Sequence, residues 1–381
     1  MIDCLLTLNA GSSSLKFALY EVQAVRAAPQ GSFATARFVG QAERLGTPDA
    51  QLRIADADGV VLLTASVAAD HSLQVALEAL LAWLSGQSTV RIVACGHRVV
   101  HGGTQWSAPV CVDQSVLAQL ASLIPLAPLH QPHNLTGIAE AQRAFPQALQ
   151  VACFDTAFHH TQPPLNRRFA LPQALHDAGV QRYGFHGLSY ESIVAQLWAR
   201  EPAVAWGRVV VAHLGNGASL CAIANGQSVA TTMSFSPLDG LPMGTRCGHL
   251  DPAVVLYLLA QSGATLDSVT RLLTRESGLL GLSGVSSDMR TLEASTLPAA
   301  RLAIDYFVEY VIREIAGMAA ALRGIDALVF TGGIGENAVA VRERIVQEVR
   351  WLSLFTVHVV RTDEEGVIAA YTAALLSTLK N

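Results

Sequence analysis

Two stretches of this chain read as one folding unit used twice. Residues 4–8 form an apolar strand, Asn9-Ala10-Gly11-Ser12-Ser13-Ser14 a small-residue turn, and residues 15–20 a returning apolar strand. Roughly 200 residues downstream the pattern recurs: an apolar strand at 208–213, the turn Leu214-Gly215-Asn216-Gly217-Ala218-Ser219, and an apolar strand at 220–224. Gly, Asn and Ser leave the backbone N–H groups of such a turn open to close approach by an anion, where bulkier side chains would block it. A repeat at this spacing calls for two related domains, and 381 residues are too many for one ordinary core.

The rest of the chain supports a layered α/β architecture. Residues 26–66 alternate apolar and polar positions between Gly and Pro breaks, which reads as short strands. A helix is predicted from 70 to 86, with Leu73, Leu77, Leu80, Leu81 and Leu84 on one face. A buried strand at 91–94 runs into Gly96-His97-Arg98-Val99-Val100-His101-Gly102-Gly103, and another at 150–154 ends in Asp155. Between them, two helices surround the loop Ala127-Pro128-Leu129-His130-Gln131-Pro132. The longest helix is predicted over 298–322, closed by Gly324. A strand at 327–330 then enters Thr331-Gly332-Gly333-Ile334-Gly335-Glu336-Asn337, a third Gly-rich turn, here opening onto a helix whose N-terminus favours anions. Three such turns on one chain point to phosphate binding.

Composition and missing motifs narrow this further. Net charge is −5, so no basic surplus exists for a nucleic-acid footprint, and anions must be held by local Arg, Lys and N–H clusters. Hydrophobic residues are 51% and charged residues 14%, a well-buried globular composition. The six cysteines contain no C-x-x-C pair, the start Met1-Ile2-Asp3-Cys4 lacks a secretory pattern, and no apolar run is long enough to span a bilayer. These features predict a reduced, cytoplasmic protein without a membrane partner. No G-x-x-x-x-G-K-[ST], no G-x-G-x-x-G after the first strand, no H-R-D/D-F-G set and no G-x-S-x-G elbow is present. The twelve histidines include no H-E-x-x-H or Cys/His ligand set for zinc.

On these residues the chain resembles the acetate kinase family. The match runs through Leu8-Asn9-Ala10-Gly11-Ser12-Ser13-Ser14-Leu15-Lys16-Phe17, the His97–Gly103 segment, Ala127-Pro128-Leu129-His130, Phe154-Asp155-Thr156-Ala157-Phe158-His159 and Tyr183-Gly184-Phe185-His186-Gly187. It continues through His213-Leu214-Gly215-Asn216-Gly217-Ala218-Ser219, Gly240-Leu241-Pro242-Met243-Gly244-Thr245-Arg246, the segment 277–290 and Phe330-Thr331-Gly332-Gly333-Ile334-Gly335-Glu336-Asn337, ending at Thr362-Asp363-Glu364-Glu365. The resemblance implies two ribonuclease-H-like domains of the actin-like ATPase, sugar-kinase and chaperone type, with a nucleotide cleft between them. The first would comprise residues 1–159 with 366–381, the second 160–365, the latter binding nucleotide and forming a homodimer.

It also implies an activity: reversible, magnesium-dependent, in-line transfer of a phosphoryl group from ATP to acetate, giving acetyl phosphate and ADP, with propionate or another short carboxylate as the alternative acceptor. Manganese is expected to substitute for Mg²⁺. Arg98 and Arg246 stand in Gly-rich, otherwise uncharged segments, where an Arg is costly to bury without an anion. In the family the matching arginines hold the carboxylate and the transferring phosphoryl group. His186 matches the family's transition-state histidine, stabilising with Arg246; His130 and His213 match supporting histidines. Asp155 is expected to be catalytic and, with Glu364 and Asn9, close to the metal. Val100, Leu129, Phe185 and Pro237 match the pocket for the acceptor's methyl group, and the bulk of Val100 favours acetate over propionate. Lys16, Ser12, Ser14, His213, Leu214, Gly215, Asn216 and Gly217 match phosphate contacts. Asp288, Met289, Arg290, Gly332, Gly333, Ile334, Gly335 and Asn337 match the nucleotide pocket. The chain departs from the family pattern at Gln131, Ala230, Ser234 and His249, and within the segment Thr362-Asp363-Glu364-Glu365, where relatives often carry an Asn.

Overall fold

The computed structural model describes residues 1–11, 14–70 and 72–378. The chain divides into two compact units: Met1–Phe158 together with the stretch from Asp363 onward, and His159–Thr362.

The first unit is built on an eight-stranded sheet. Its strands are β1 (Ile2–Ala10), β2 (Ser14–Glu21), β3 (Phe38–Glu43), β4 (Gln51–Asp56), β5 (Val61–Ser66), β6 (Val90–Val99), β7 (Val110–Cys111) and β8 (Leu149–Phe154), in the order β5-β4-β3-β2-β1-β6-β8-β7. β1 to β3 form an antiparallel meander, while β6 and β8 run parallel to β1. The second unit holds β9 (Arg208–Leu214), β10 (Ala218–Ala224), β11 (Gln227–Thr231), β12 (Ala327–Thr331) and β13 (Thr356–Val359), in the order β11-β10-β9-β12-β13. Here too the first three strands are antiparallel neighbours and the last two run parallel to the first. The duplication therefore extends past the hairpin: β3-β2-β1-β6-β8 and β11-β10-β9-β12-β13 are the same five-strand arrangement. Central strands of such a sheet are covered on both faces and read as near-continuous apolar runs, as Arg208-Val209-Val210-Val211-Ala212 does.

Helices supply that cover. The helix Ser72–Ser85 buries Leu73, Leu77, Leu80, Leu81 and Leu84, the face its periodicity predicts, into a core with Leu6, Leu8, Leu15 and Leu19. The long helix spans Pro298–Leu322 and buries Phe307, Val311 and Ile315. The left-handed residue that stops it is Arg323 (φ 60°), one position before the glycine the sequence suggests. Gly324 itself has φ 135°, a backbone conformation that side-chain-bearing residues rarely adopt.

The C-terminal helix Glu364–Thr378 packs on β6, β1 and β8. Gly96 on β6 permits this approach: a Cβ there would stand 2.3 Å from Thr372 Oγ1 and 2.5 Å from an Ile368 methyl. The boundary between the units consequently falls before Asp363, not after Glu365 as the sequence expectation had it. The Asp363 carboxylate accepts the Gly366 amide at 2.8 Å, which starts the helix at the acids and carries Glu364 and Glu365 into the first unit. Among the described residues all six cysteines are free thiols, and no helix is long and apolar enough to cross a membrane.

Each unit also buries a neutral histidine. His97, 2% exposed, bonds the Gln150 side chain at 2.8 Å; His159, 1% exposed, lies between Ser228 Oγ and the Phe185 carbonyl, both at 2.9 Å. Burial lowers each ring from 6.5 to about 4. The unfolded chain binds these protons first, so stability is full above pH 6.5 and falls as pH drops towards 4. Each ring is expected to cost about 3 kcal/mol by pH 4, and removing one, as in His97→Gln, should make urea-denaturation midpoints less pH-dependent over that window.

Candidate active site

In the first unit, three side chains meet at the C-terminal ends of adjacent parallel strands, where open α/β sheets place their ligands. Asn9 lies near the end of β1, Arg98 near the end of β6 and Asp155 directly after β8, with Arg98 level with Cys153 in the β6–β8 register. Arg98 Nε donates to Asp155 Oδ1 at 3.0 Å and Nη2 to Oδ2 at 2.6 Å, while Nη1 donates to Asn9 Oδ1 at 3.0 Å. Glu364 approaches Arg98 Nε at 3.9 Å. Burial alone would lower the Arg98 pKa, but Asp155 and Glu364 more than offset this and hold it above its ordinary value, so the guanidinium is a permanent cation. Burial, then Glu364, pushes the neighbouring Glu365 carboxyl up.

The donor set suits magnesium rather than a softer ion. Asn9, Asp155 and Glu364 offer only oxygens, as hard cations require. Among the described residues no group of three His, Cys, Asp or Glu could hold a metal alone. Mg²⁺ keeps waters and takes substrate phosphate oxygens, so one or two carboxylates suffice for it. Lys16 is exposed and faces Asn9 across the β1–β2 pairing, and Ser14 opens β2; Ser12 lies outside the described residues.

Val100 is buried and its amide donates to Asn134 Oδ1 at 2.9 Å; Leu129 and His130 are half-buried just before the helix Gln131–Ala144. Asn134 also donates to the Ala10 carbonyl at 2.8 Å, tying the ends of β1 and β6 to that helix. The sequence reading missed it, though a buried Asn in a helix beside a Pro-His run is a signal for such a bridge. Gln131 is fully buried and donates to the carbonyls of His101 and Leu120, both at 3.2 Å.

The second unit holds its own cluster, centred on the β9–β10 turn. His186 ends the segment before the helix Gly187–Arg200 in a left-handed conformation (φ 59°), uncommon for a non-glycine residue. Its Nδ1 lies 2.9 Å from Ser219 Oγ, and its ring stacks on His213 with centroids 4.4 Å apart. His213 Nδ1 in turn lies 2.8 Å from Ser189 Oγ. Arg246 donates from Nη1 to the Pro237 carbonyl at 2.6 Å. Gly217 marks where these groups converge: a Cβ there would stand 2.8 Å from Arg246 Nη2 and 3.3 Å from His186 Nε2. Asn216 is pinned by the close approach of Gly244, whose amide donates to the Asn216 carbonyl at 3.1 Å. Phe185 is buried, and Pro237 meets Arg246 through its backbone. The loop carrying Pro237 is clasped by Asp239, which accepts from Ser234 Oγ and from the Gly240 amide and lies 3.6 Å from His249 Nδ1. Two of the departures from the family pattern, Ser234 and His249, thus meet at one carboxylate.

The third glycine turn differs from its sequence reading. Gly332 does not precede a helix; the short helix Gly332–Asn337 begins with it. The Gly332 amide already donates to Glu336 Oε1 at 3.1 Å, and the residue, at φ 80°, is pressed against the Leu214 carbonyl. Gly332 therefore joins this segment to the β9 turn rather than offering a free donor. Gly333 and Asn337 are exposed, with Asn337 donating to the Gly333 carbonyl at 2.8 Å, while Leu214 and Gly335 are buried and Ile334 is half-buried. Asp288 and Arg290 line an open pocket of about 640 Å³ with Val285, Thr291, Ala294 and Ser295. Asp288 caps the helix Met289–Glu293, and the Arg290 side chain holds its carboxyl below the usual range. Met289 is 3% exposed and faces the core instead of that pocket.

Two copies of one five-strand arrangement, with Arg, His and Asp at strand ends and glycine turns, define a phosphotransferase of the actin-like ATPase class. The comparisons with known proteins place it further. The family model described as the Acetokinase family matches residues 4–375. An acetate kinase of Methylocella silvestris is 50% identical over 404 residues, covering 100% of this chain and 99% of its own length. The crystal structure of Porphyromonas gingivalis acetate kinase is 34% identical with a TM-score of 0.84, covering 98% of this chain and 100% of that one. That of a propionate kinase from Francisella tularensis is 33% identical with a TM-score of 0.85, at 98% and 100% coverage. The chain belongs to the acetokinase family, whose members are kinases.

Proposed function

We propose that this protein transfers the terminal phosphoryl group of ATP to acetate, reversibly and with Mg²⁺, giving acetyl phosphate and ADP. The observation that carries the reading is the convergence of Arg246 Nη2 and His186 Nε2 on the space above Gly217. Two donors aimed at one point beside a glycine turn suit the equatorial oxygens of a phosphoryl group in transfer, a reaction in which positioning and charge stabilisation are nearly all the protein supplies. Arg98, held by Asp155 and Asn9, binds the acetate carboxylate, and Asp155 keeps that guanidinium oriented. Lys16, Ser14, Asn216 and Gly217 orient phosphates, and the pocket at Asp288 and Arg290 receives the nucleoside. Glu364 and Asn9 hold the metal, which neutralises phosphate charge when bound. The test is to supply ATP, Mg²⁺ and acetate with hydroxylamine and to assay acetyl hydroxamate; a folded, metal-supplied protein that yields none refutes the reading.

Propionate is a second acceptor, favoured by the propionate kinase among the similar structures. Val100 limits the acceptor's size, but one methylene discriminates by only ~1–3 kcal/mol, so both acids should turn over, acetate faster. Buried free thiols support a reduced, cytoplasmic setting.

A homodimer accompanies this reading. The helix Pro252–Leu259 buries none of its residues and exposes Leu256 at 69% and Tyr257 at 65%, with Leu266 beside it in sequence at 72%. Contiguous apolar exposure of this kind marks a contact surface. Light scattering should give twice 40.3 kDa for the native chain, and Leu256→Glu with Tyr257→Glu should halve that mass; a native mass of 40.3 kDa contradicts the dimer.

A further inference from the structure

We propose that Ser234 and Asp239 are positioning residues that hold His186 Nε2 and Arg246 Nη2 at the separation phosphoryl transfer needs. The proposal rests on the reading of those two donors as the groups that meet the phosphoryl oxygens. Both residues act through the backbone that carries the donors, not on the reacting group. Ser234 stands where the chain departs from the family pattern, so the resemblance assigns it no role.

Ser234 serves both donors from one buried position. Its carbonyl accepts the amides of Tyr183 at 2.9 Å and Gly184 at 3.2 Å, just before His186. From there the chain has little freedom. Gly184 sits at φ 83° with no room for a Cβ, which would stand 2.5 Å from the His159 ring. His159 Nε2 in turn donates to the Phe185 carbonyl at 2.9 Å. The Ser234 hydroxyl works in the other direction. It donates to Asp239 Oδ2, while Asp239 Oδ1 accepts the Gly240 amide at 2.8 Å. Asp239 follows closely on Pro237, whose carbonyl holds Arg246 Nη1 at 2.6 Å. The same loop is closed on itself by the His249 amide on the Gly240 carbonyl at 2.8 Å and the Met243 amide on the Arg246 carbonyl at 3.1 Å. A shift of Asp239 therefore carries Pro237, Gly240 and Arg246 with it.

Asp239 acts by shape more than by charge. His249 Nδ1 stands 3.6 Å from its carboxylate and Arg182 Nη1 4.0 Å, with those side chains 71% and 39% exposed. Ion pairs of that separation and exposure are worth little in water. The bonds to Ser234 and Gly240 are directional, one to each carboxylate oxygen, and they fix where the loop lies. Removing the Ser234 hydroxyl leaves Asp239 Oδ2 to water, because the Asp239 side chain is 31% exposed, so the fold survives while the loop gains freedom. Freedom there blurs the separation of the two donors above Gly217. A donor misplaced by about 1 Å can cost ~100-fold in rate, so a loosened loop is expected to cost about 10-fold.

The test is hydroxamate formation by the full chain with ATP, Mg²⁺ and acetate, paired with thermal denaturation. Ser234→Ala should lower kcat about 10-fold, leave KM for ATP and acetate within about twofold, and move the thermal midpoint by only a few degrees. In an Arg246→Leu or His186→Gln background the same change should cost no more than about twofold further, since the separation of two donors stops mattering once one is gone. A merely structural role would subtract the same factor in every background. Asp239→Asn can still make both bonds, its carbonyl oxygen accepting the Gly240 amide and its amide nitrogen donating to Ser234 Oγ, and should keep most of the native kcat. Asp239→Ala should lose as much as Ser234→Ala. These two variants answer the question if Ser234→Ala does not fold. Native kcat in Ser234→Ala and Asp239→Ala, or an equal loss in all three backgrounds, overturns the proposal. So does an Asp239→Asn as impaired as Asp239→Ala, because charge would then be what matters. A native protein that forms no hydroxamate refutes the functional reading itself, and the proposal with it.

Discussion

Arg246→Leu is expected to lower kcat for hydroxamate formation by about 10³-fold, roughly 4 kcal/mol of transition-state stabilisation, while the thermal midpoint moves by only a few degrees. The two halves of this expectation have separate causes. The activity loss follows from Nη2, which points at the space above Gly217 together with His186 Nε2. A cation fixed where charge spreads over a phosphoryl group acts most strongly in the transition state, so kcat should fall more than the KM for ATP rises. The stability change is small because Arg246 is half-buried and its Nη1 bonds a neutral backbone carbonyl, that of Pro237. Losing such a bond costs ~1 kcal/mol. Arg246→Lys should fall between the two, keeping the charge but not the planar fork. Paired kinetic and thermal measurements decide it: near-native turnover in Arg246→Leu shows that this guanidinium does not meet the reacting group.

Much of the fold was legible because the signals were local. Strand periodicity and the Gly/Asn/Ser turns revealed the duplicated hairpin, and the parallel arrangement of the following strands extends it. The long helix was legible to the residue at Pro298–Leu322, since its apolar spacing is uninterrupted and proline and Gly324 bracket it. What escaped the reading depends on contacts distant in sequence. The helix Val22–Ala27 has one buried residue and no periodicity to read. The C-terminal helix begins at Glu364 because Asp363 caps it and because Gly96, far away in sequence, makes room for it. At the Gly332 turn the composition shows the glycines, but whether the Gly332 amide is open depends on Glu336, four residues later, folding back onto it. In the clusters themselves, charged residues in glycine-rich surroundings stood out, whereas Tyr190 and Ser219 did not. One reads as a helix aromatic and the other as the last residue of a turn; only the sheet register and the helix after His186 bring their hydroxyls together.

The first unit's arginine should behave in the opposite way from Arg246. Arg98→Leu is expected to abolish measurable turnover and also to destabilise the first unit by ~3–5 kcal/mol, read from urea denaturation. Asp155 is 1% exposed and both of its oxygens accept from Arg98, so the substitution takes from a buried carboxylate the guanidinium that both oxygens meet. Removing one partner of such a pair is far costlier than removing both, because the penalty is the uncompensated charge and not the lost attraction. Arg98→Leu combined with Asp155→Asn should therefore regain most of the stability, the amide being neutral and close in shape, while activity stays absent because nothing is left to hold the acetate carboxylate. This double variant separates the structural work of the ion pair from its chemical work. If it is as unstable as Arg98→Leu alone, the pair is not what holds the ends of β6 and β8 together; if it turns over acetate normally, Arg98 does not bind the acceptor.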